Sequence, residues 1–429
     1  MRMLQFGRSR RNLTVLDQVI VSGSNFLTGI ILVRGLGLQR FGLFTVAYAF
    51  LLLANSVQLS FISSPMITLG SLCSTETERL RFVRGMFGLL LSFCVITIVA
   101  TVAAGVTYAA LEGDAALARI IPAFCVSVVL YVAQDWLRRY YFTVGKAAAS
   151  VWDDAVSYLG QVALLGLLMW MQWLTIESAF WTIALTSGVA FAAGAVLERL
   201  GSNFAETRDA FRQSRRISID LGISNQLQWL VYQGAMLVGA SVAGAQAAGG
   251  VRATQNVVGP VNIVYQALEN IVPIRAAEEM RRGGIRRAEA FLFRFGLAGF
   301  VVLLVAFSAV SLVSDRFLVF FYGRQLQTYA GVLNLQMLYF LLAWPVRQYT
   351  FLFRTVKRTT PILISSIVAA AISLLLVYPM VRDFSALGIV IAAVAGQIGN
   401  LLYLVLAWVR IPQTANIRDD SQLGPKYRF

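Results

Sequence analysis

The stretch VRATQNVVGPVNIVYQALENIVPI, Val251–Ile274, is long and apolar enough to cross a bilayer, yet Arg252, Gln255, Gly259, Asn262, Gln266 and Glu269 recur in it at alternating steps of three and four. That spacing is helical. At about 100° per residue these positions share one sector of a helix, with Asn256 beside them and Val257, Val261, Val264 and Leu268 opposite. Hydrocarbon offers no hydrogen bonds, so a polar face inside a membrane span belongs in a polar cavity of a helical bundle, where intramembrane charges mark substrate or ion routes. The segment reads as part of a transporter.

The rest of the chain agrees. Of 429 residues, 58% are hydrophobic and 13% charged, against roughly 25% charged in an average soluble domain. Twelve apolar runs near the ~20 residues that span a bilayer can be placed: 13–33, 41–60, 86–109, 120–136, 148–171, 178–196, 217–240, 251–274, 290–312, 332–353, 361–381 and 387–409. The expected fold is an all-α integral membrane protein with twelve transmembrane helices in two six-helix lobes around a central cavity. Residues 1–212 form an N-terminal lobe that ends in a basic linker, 213–412 a C-terminal lobe, and 413–429 a tail.

A net charge of +15 would suggest nucleic acid in a soluble protein; here its placement matters more. Arginine and lysine fill every second connection, from Arg2 and Arg8 through Arg138, Arg216 and Arg286 to Lys426. In all, 27 of the 36 basic residues lie on one side and six on the other. The positive-inside rule then places both termini in the cytoplasm, with no nucleic-acid partner. The first apolar run lacks a small-residue cleavage site and reads as a start-transfer helix.

The chain has no histidine, and Cys73, Cys94 and Cys125 lack metal-ligand spacing, which leaves no zinc site or His-based catalysis. There is no phosphate loop of the G-x-x-x-x-G-K-[ST] type, and the outward loops are too short for a catalytic domain. No cofactor and no enzymatic activity are expected. A weak repeat runs through the chain: Gly42 and Gly250, Gln58 and Gln266, and Pro65 and Pro273 each stand 208 residues apart. Two copies with six helices each have the same orientation, so their pseudo-axis runs along the membrane normal and the substrate site lies between them.

The turn Arg34-Gly35-Leu36-Gly37-Leu38-Gln39-Arg40-Phe41-Gly42-Leu43-Phe44, the basic mid-chain linker and the Gly-Val-Arg to Gly-Pro segment at 250–260 resemble bacterial polysaccharide-transport proteins. These are the O-antigen and exopolysaccharide flippases of the multidrug/oligosaccharidyl-lipid/polysaccharide exporter superfamily, and the resemblance covers nearly the whole chain. It implies two lobes in a V, a cavity lined by spans 1, 2, 7 and 8, and rocking alternating access. It also implies an undecaprenyl-pyrophosphate-linked sugar as substrate in the bacterial inner membrane, and membrane lipids, a glycan polymerase and chain-length machinery as partners.

Those spans hold most of the uncharged polar groups: Asn25 in span 1, Tyr48 and Asn55 in span 2, and Asn225, Gln228 and Tyr232 in span 7. With Gln255, Asn256, Asn262 and Gln266 they offer the many weak donors and acceptors that a glycan needs. The same groups can instead join helices across dry interfaces. Arg252 suits a pyrophosphate clamp or a headgroup anchor, and Arg347, after Pro345 in span 10, is a second candidate cation. Asp17, Asp220 and Glu269 are candidates for ion coupling or plain interfacial charges. A drug or cation antiporter of the same superfamily would carry a deeper acidic site and an aromatic pocket, and a membrane glycan polymerase would need larger outer loops.

Overall fold

The computed structural model describes the backbone of residues 2–70, 73–112, 115–356, 358 and 360–410; the side chains at 2–15, 108–112, 115–119, 220, 221, 223–225, 227–232, 263, 266, 267, 269–271 and 274 lie outside the description. The first part of the chain is α1 (Arg2–Leu36), α2 (Leu38–Gln58), a π turn (Leu59–Ser63), α3 (Ser64–Gly70), α4 (Glu76–Glu112) and α5 (Ala115–Thr143). Then come α6 (Ala147–Asp154), a second π turn (Ala155–Leu159), α7 (Gly160–Trp170) and α8 (Ile176–Leu197). The remainder is α9 (Phe204–Ala243), α10 (Ala245–Leu312), α11 (Ser314–Tyr322), a 3₁₀ turn (Arg324–Tyr329), α12 (Ala330–Thr355), α13 (Thr360–Phe384) and α14 (Ala386–Val409). There is no strand among the described residues, so every backbone group can bond within its own helix, as hydrocarbon requires.

Nine stretches among the described residues are long and apolar enough to cross a membrane, and the chain is a multi-pass membrane protein. The expected spans at 148–171, 217–240 and 251–274 are also helical. The first is interrupted by its π turn just after Asp153 and Asp154, and the other two have side chains partly outside the description. α10 holds two passes in one continuous run, folded back at Gly283 and Gly284; Gly284, at φ 70°, takes a conformation that side chains with a Cβ disfavour.

The basic linker expected between the lobes is not a separate segment. From Phe204 onward it is the first part of α9, whose start is capped by the Asn203 side chain accepting from the Glu206 N–H at 2.8 Å. A boundary at 212 therefore falls inside a helix.

The two halves use the same opening turn. Gly37 (φ 78°, ψ 161°) separates α1 from α2, and Gly244 (φ 84°, ψ 168°) separates α9 from α10. Between them the halves meet closely on the arginine-poor side. A Cβ on Gly42 would sit 1.8 Å from the Ala245 carbonyl oxygen, so α2 and α10 touch backbone to backbone there. Arg34 adds hydrogen bonds to the carbonyls of Phe320 and Phe321, and Gln325 accepts from the Leu38 N–H (3.1 Å) and donates to the Val33 carbonyl (3.0 Å). This face of the cavity is closed by polar straps from α11 and the 3₁₀ turn onto the α1–α2 turn.

Candidate functional site

Below that closure α1, α2, α7, α8 and α10 surround a small cavity of about 40 Å³. Arg252 enters it from α10, with its guanidinium carbon 5.7 Å from the centre of the Tyr48 ring on α2. Cation over aromatic face is a favourable pairing, and it joins the two halves directly. Asn256, one turn further along α10, presses against α1 at Gly29, where a Cβ would lie only 2.3 Å from the amide nitrogen. Gly29 is what lets the two helices close on that amide. Asn25, Thr28, Thr45 and Gln161 complete the polar lining, and Gln161 donates to the Thr28 hydroxyl at 3.2 Å. Among the described residues no carboxylate lies within ion-pair distance of Arg252. A guanidinium of this kind can receive an anionic oxygen through two parallel hydrogen bonds.

Four of the residues expected at the site thus meet in one place: Asn25, Tyr48, Arg252 and Asn256. Gln255, their neighbour in sequence, turns the other way. It lines a cavity of about 80 Å³ inside the C-terminal half, together with Gln336, Ser373 and Gln397. The polar stripe of span 8 is therefore divided between two cavities, because α10 is packed on both flanks. Arg347 lies elsewhere, 4.5 Å above the Tyr265 ring. Asn55 and Asn262 are half-buried outside both cavities, and the Asn55 side-chain oxygen Oδ1 is buried without a partner. Gln266, Asn225, Gln228, Tyr232, Asp220 and Glu269 lie outside the described side chains.

Asp17 sits in the interior of the N-terminal half, 0% exposed, where its Oδ2 accepts from Arg138 at 2.5 Å. The same guanidinium meets Asp154 at 2.8 Å, and the Gln134 amide donates to Asp153 (2.8 Å) and Asp154 (3.1 Å). Three carboxyl groups from α1 and α6 thus gather around one cation from α5. Asp135 pairs with Arg139 one turn away at 2.9 Å, as its spacing predicts. Asp17 stands out in the sequence, but its partners do not. Arg138 reads as one of the basic residues of a connection until α5 is seen to run on to Thr143, and Gln161 and Thr28 lie on faces that no single-helix pattern singles out.

No family model and no curated protein matches the sequence. Solved structures do. A structure titled lipid II flippase MurJ, inward closed conformation, superposes with a TM-score of 0.70 at 13% identity, covering 94% of this chain and 88% of that one. An inward-facing multidrug resistance MATE family transporter of the MOP superfamily gives a TM-score of 0.63 at 14% identity, with 93% of each chain covered. A MATE in complex with MaL6 gives 0.62 at 14% identity, covering 93% and 95%. The chain has the fold of these transporters.

Proposed function

We propose that this chain flips undecaprenyl-pyrophosphate-linked oligosaccharide repeat units across the bacterial inner membrane, for O-antigen or exopolysaccharide synthesis, and is not an enzyme. Both termini lie in the cytoplasm, and the arginine-poor closure faces the periplasm. What carries the reading is Arg252: a cation without an acidic partner among the described residues, in a cavity lined by amides and hydroxyls where the two halves meet. A pyrophosphate is doubly suited to it, by charge and by paired oxygens. The likeness in fold to a lipid II flippase supports the same substrate class. The likeness to multidrug transporters supports an antiporter, but a cationic drug would meet Arg252 rather than a carboxylate in this cavity.

Transport proceeds by alternating access between states closed at one face and then the other. The Arg34 and Gln325 straps hold the present closure. The cluster of Asp17, Asp153 and Asp154 with Arg138 is the candidate for coupling this rocking to an ion gradient. A polymerase and chain-length machinery are the natural recipients of the product.

Deletion of the gene tests this. Lipid-linked repeat units are expected to accumulate on the cytoplasmic leaflet, out of reach of a periplasmic glycosidase, while their assembly continues. Units that reach the periplasm unpolymerised in the deletion strain would point to a polymerase instead.

A further inference from the structure

The first turns of α9, FAETRDAFRQSRRISI over Phe204–Ile219, divide cleanly around the helix. With Phe204 at 0° and a step of about 100° per residue, Thr207, Ala210, Ser214 and Ser218 fall between about 240° and 320°. This flank is packed. Ala210, Ser214 and Ser218 are buried, a Cβ on Gly85 of α4 would sit 2.6 Å from the Ala210 Cβ, and the Ser218 hydroxyl donates to the Phe61 carbonyl in the first π turn at 2.8 Å. The next flank is bare. Phe211 and Phe204 stand at about −20° and 0°, followed by Arg215, Arg208, Ile219 and Arg212 at about 20°, 40°, 60° and 80°. All six are exposed, the two rings by 55% and 82%.

None of Arg208, Arg212 and Arg215 is ion-paired among the described residues. Asp209, the exposed acid of this segment, stands about 60° beyond Arg212. Packed, then aromatic, then basic is the order expected of a helix at the edge of a bundle at headgroup depth, with rings against acyl chains and guanidinium groups against phosphates. The depth agrees. From Glu76 to Gly85 in α4, and from Phe61 to Gly70 at the end of α3, the helices each run nine residues, about 13 Å from the connection between them. The two contacts of α9 are therefore at nearly the same level, and the apolar run of α4 starts next to them, at Met86.

We infer that Phe204–Ile219 is a surface that binds the anionic phospholipid headgroups of the cytoplasmic leaflet, with Phe204 and Phe211 sinking into the acyl border and Arg208, Arg212 and Arg215 on phosphates. The leaflet follows from the orientation proposed above; the surface is independent of the transported substrate. Three cations with no acid among them call for an anionic partner, and exposed rings at the hydrocarbon border call for one with acyl chains.

A bimane probe on Phe211→Cys reads the surface, in the full chain in nanodiscs with Cys73, Cys94 and Cys125 replaced. With phosphatidylglycerol mixed into phosphatidylcholine, a lipid carrying a nitroxide just below its headgroup is expected to quench the probe, while aqueous acrylamide leaves it largely untouched. In phosphatidylcholine alone, acrylamide should reach it. Each arginine at an anionic surface strengthens attachment roughly fivefold, so Arg208→Gln/Arg212→Gln/Arg215→Gln should lower the bound-to-free ratio about a hundredfold and admit acrylamide even with phosphatidylglycerol present. Arg212→Gln alone should give a partial release, which keeps the test sound should the triple variant not fold. A probe on Gln213→Cys, at about 180°, should be open to acrylamide in both lipids. Equal acrylamide quenching of the Phe211→Cys probe with and without phosphatidylglycerol, folded arginine variants as shielded as their parent, or a probe shielded from both quenchers, as under a second protein, would each overturn the assignment.

Discussion

Removing the straps on the arginine-poor face should let that face open. Arg34→Ala/Gln325→Ala deletes four hydrogen bonds between the α1–α2 turn and the α11–3₁₀ segment: two from the guanidinium to the Phe320 and Phe321 carbonyls, and two made by the glutamine amide. Both side chains are exposed, so the lower end of the net range applies, about 0.5 kcal/mol per bond and about 2 kcal/mol in all. At 1.4 kcal/mol per tenfold, the closed-to-open ratio falls by about 30-fold. The backbone contact of Gly42 with Ala245 stays in place, so the closure weakens without being lost. Ile183→Cys supplies the readout, because Ile183 lines the Arg252 cavity and is almost completely buried. In a background with Cys73, Cys94 and Cys125 replaced, an impermeant maleimide added from the periplasmic side should label this cysteine about 30-fold faster in the double variant. An unchanged labelling rate in a folded double variant would refute the idea that these four bonds hold the face shut.

Three further outcomes are expected. Arg252→Ala should stop glycan export at normal protein level, and Arg252→Lys, which keeps charge but loses the two-pronged geometry, should restore it only in part; full export by the lysine variant would assign Arg252 to headgroup anchoring. Arg138→Met leaves Asp17 and Asp154 buried without their cation and should cost about 3–5 kcal/mol, read as a lowered unfolding temperature, while adding Asp17→Asn and Asp154→Asn should recover much of it. Reporter fusions after Arg216 and after Lys426 should be active only with a cytoplasmic enzyme, and a fusion within Gly113 to Ala116 only with a periplasmic one.

How much of this could be read from the chain depends on the range of the interaction. Apolar runs and the glycine turn at Gly37 are local properties, so most spans and the break between α1 and α2 are plain in the sequence. The pairing of Arg252 with Tyr48 and of Arg138 with Asp17 joins residues far apart along the chain, and no periodicity encodes which helices will face one another. The stripe of span 8 shows the limit well. Its period reads as a polar helix face, but a face about 100° wide can be shared by two neighbours, and only packing decides that Asn256 meets α1 while Gln255 meets the glutamines of α12 and α14.

The repeat sharpens the functional argument, because the two halves begin with the same glycine turn and then diverge in chemistry. In the N-terminal half the buried polar groups include an ionisable cluster, Asp17, Asp153 and Asp154 around Arg138. In the C-terminal half the cavity beside α10 is lined instead by Gln255, Gln336 and Gln397, which titrate at no physiological pH. The two halves therefore differ in electrostatics, with carboxylates and a guanidinium buried in one and a cavity lined by uncharged amides in the other. Any coupling of transport to protons is thus expected to fail in Asp17→Asn and to survive Gln336→Leu. That contrast can be measured as substrate-dependent proton uptake in vesicles, with loss of uptake in the glutamine variant alone as the result that would place coupling in the wrong half.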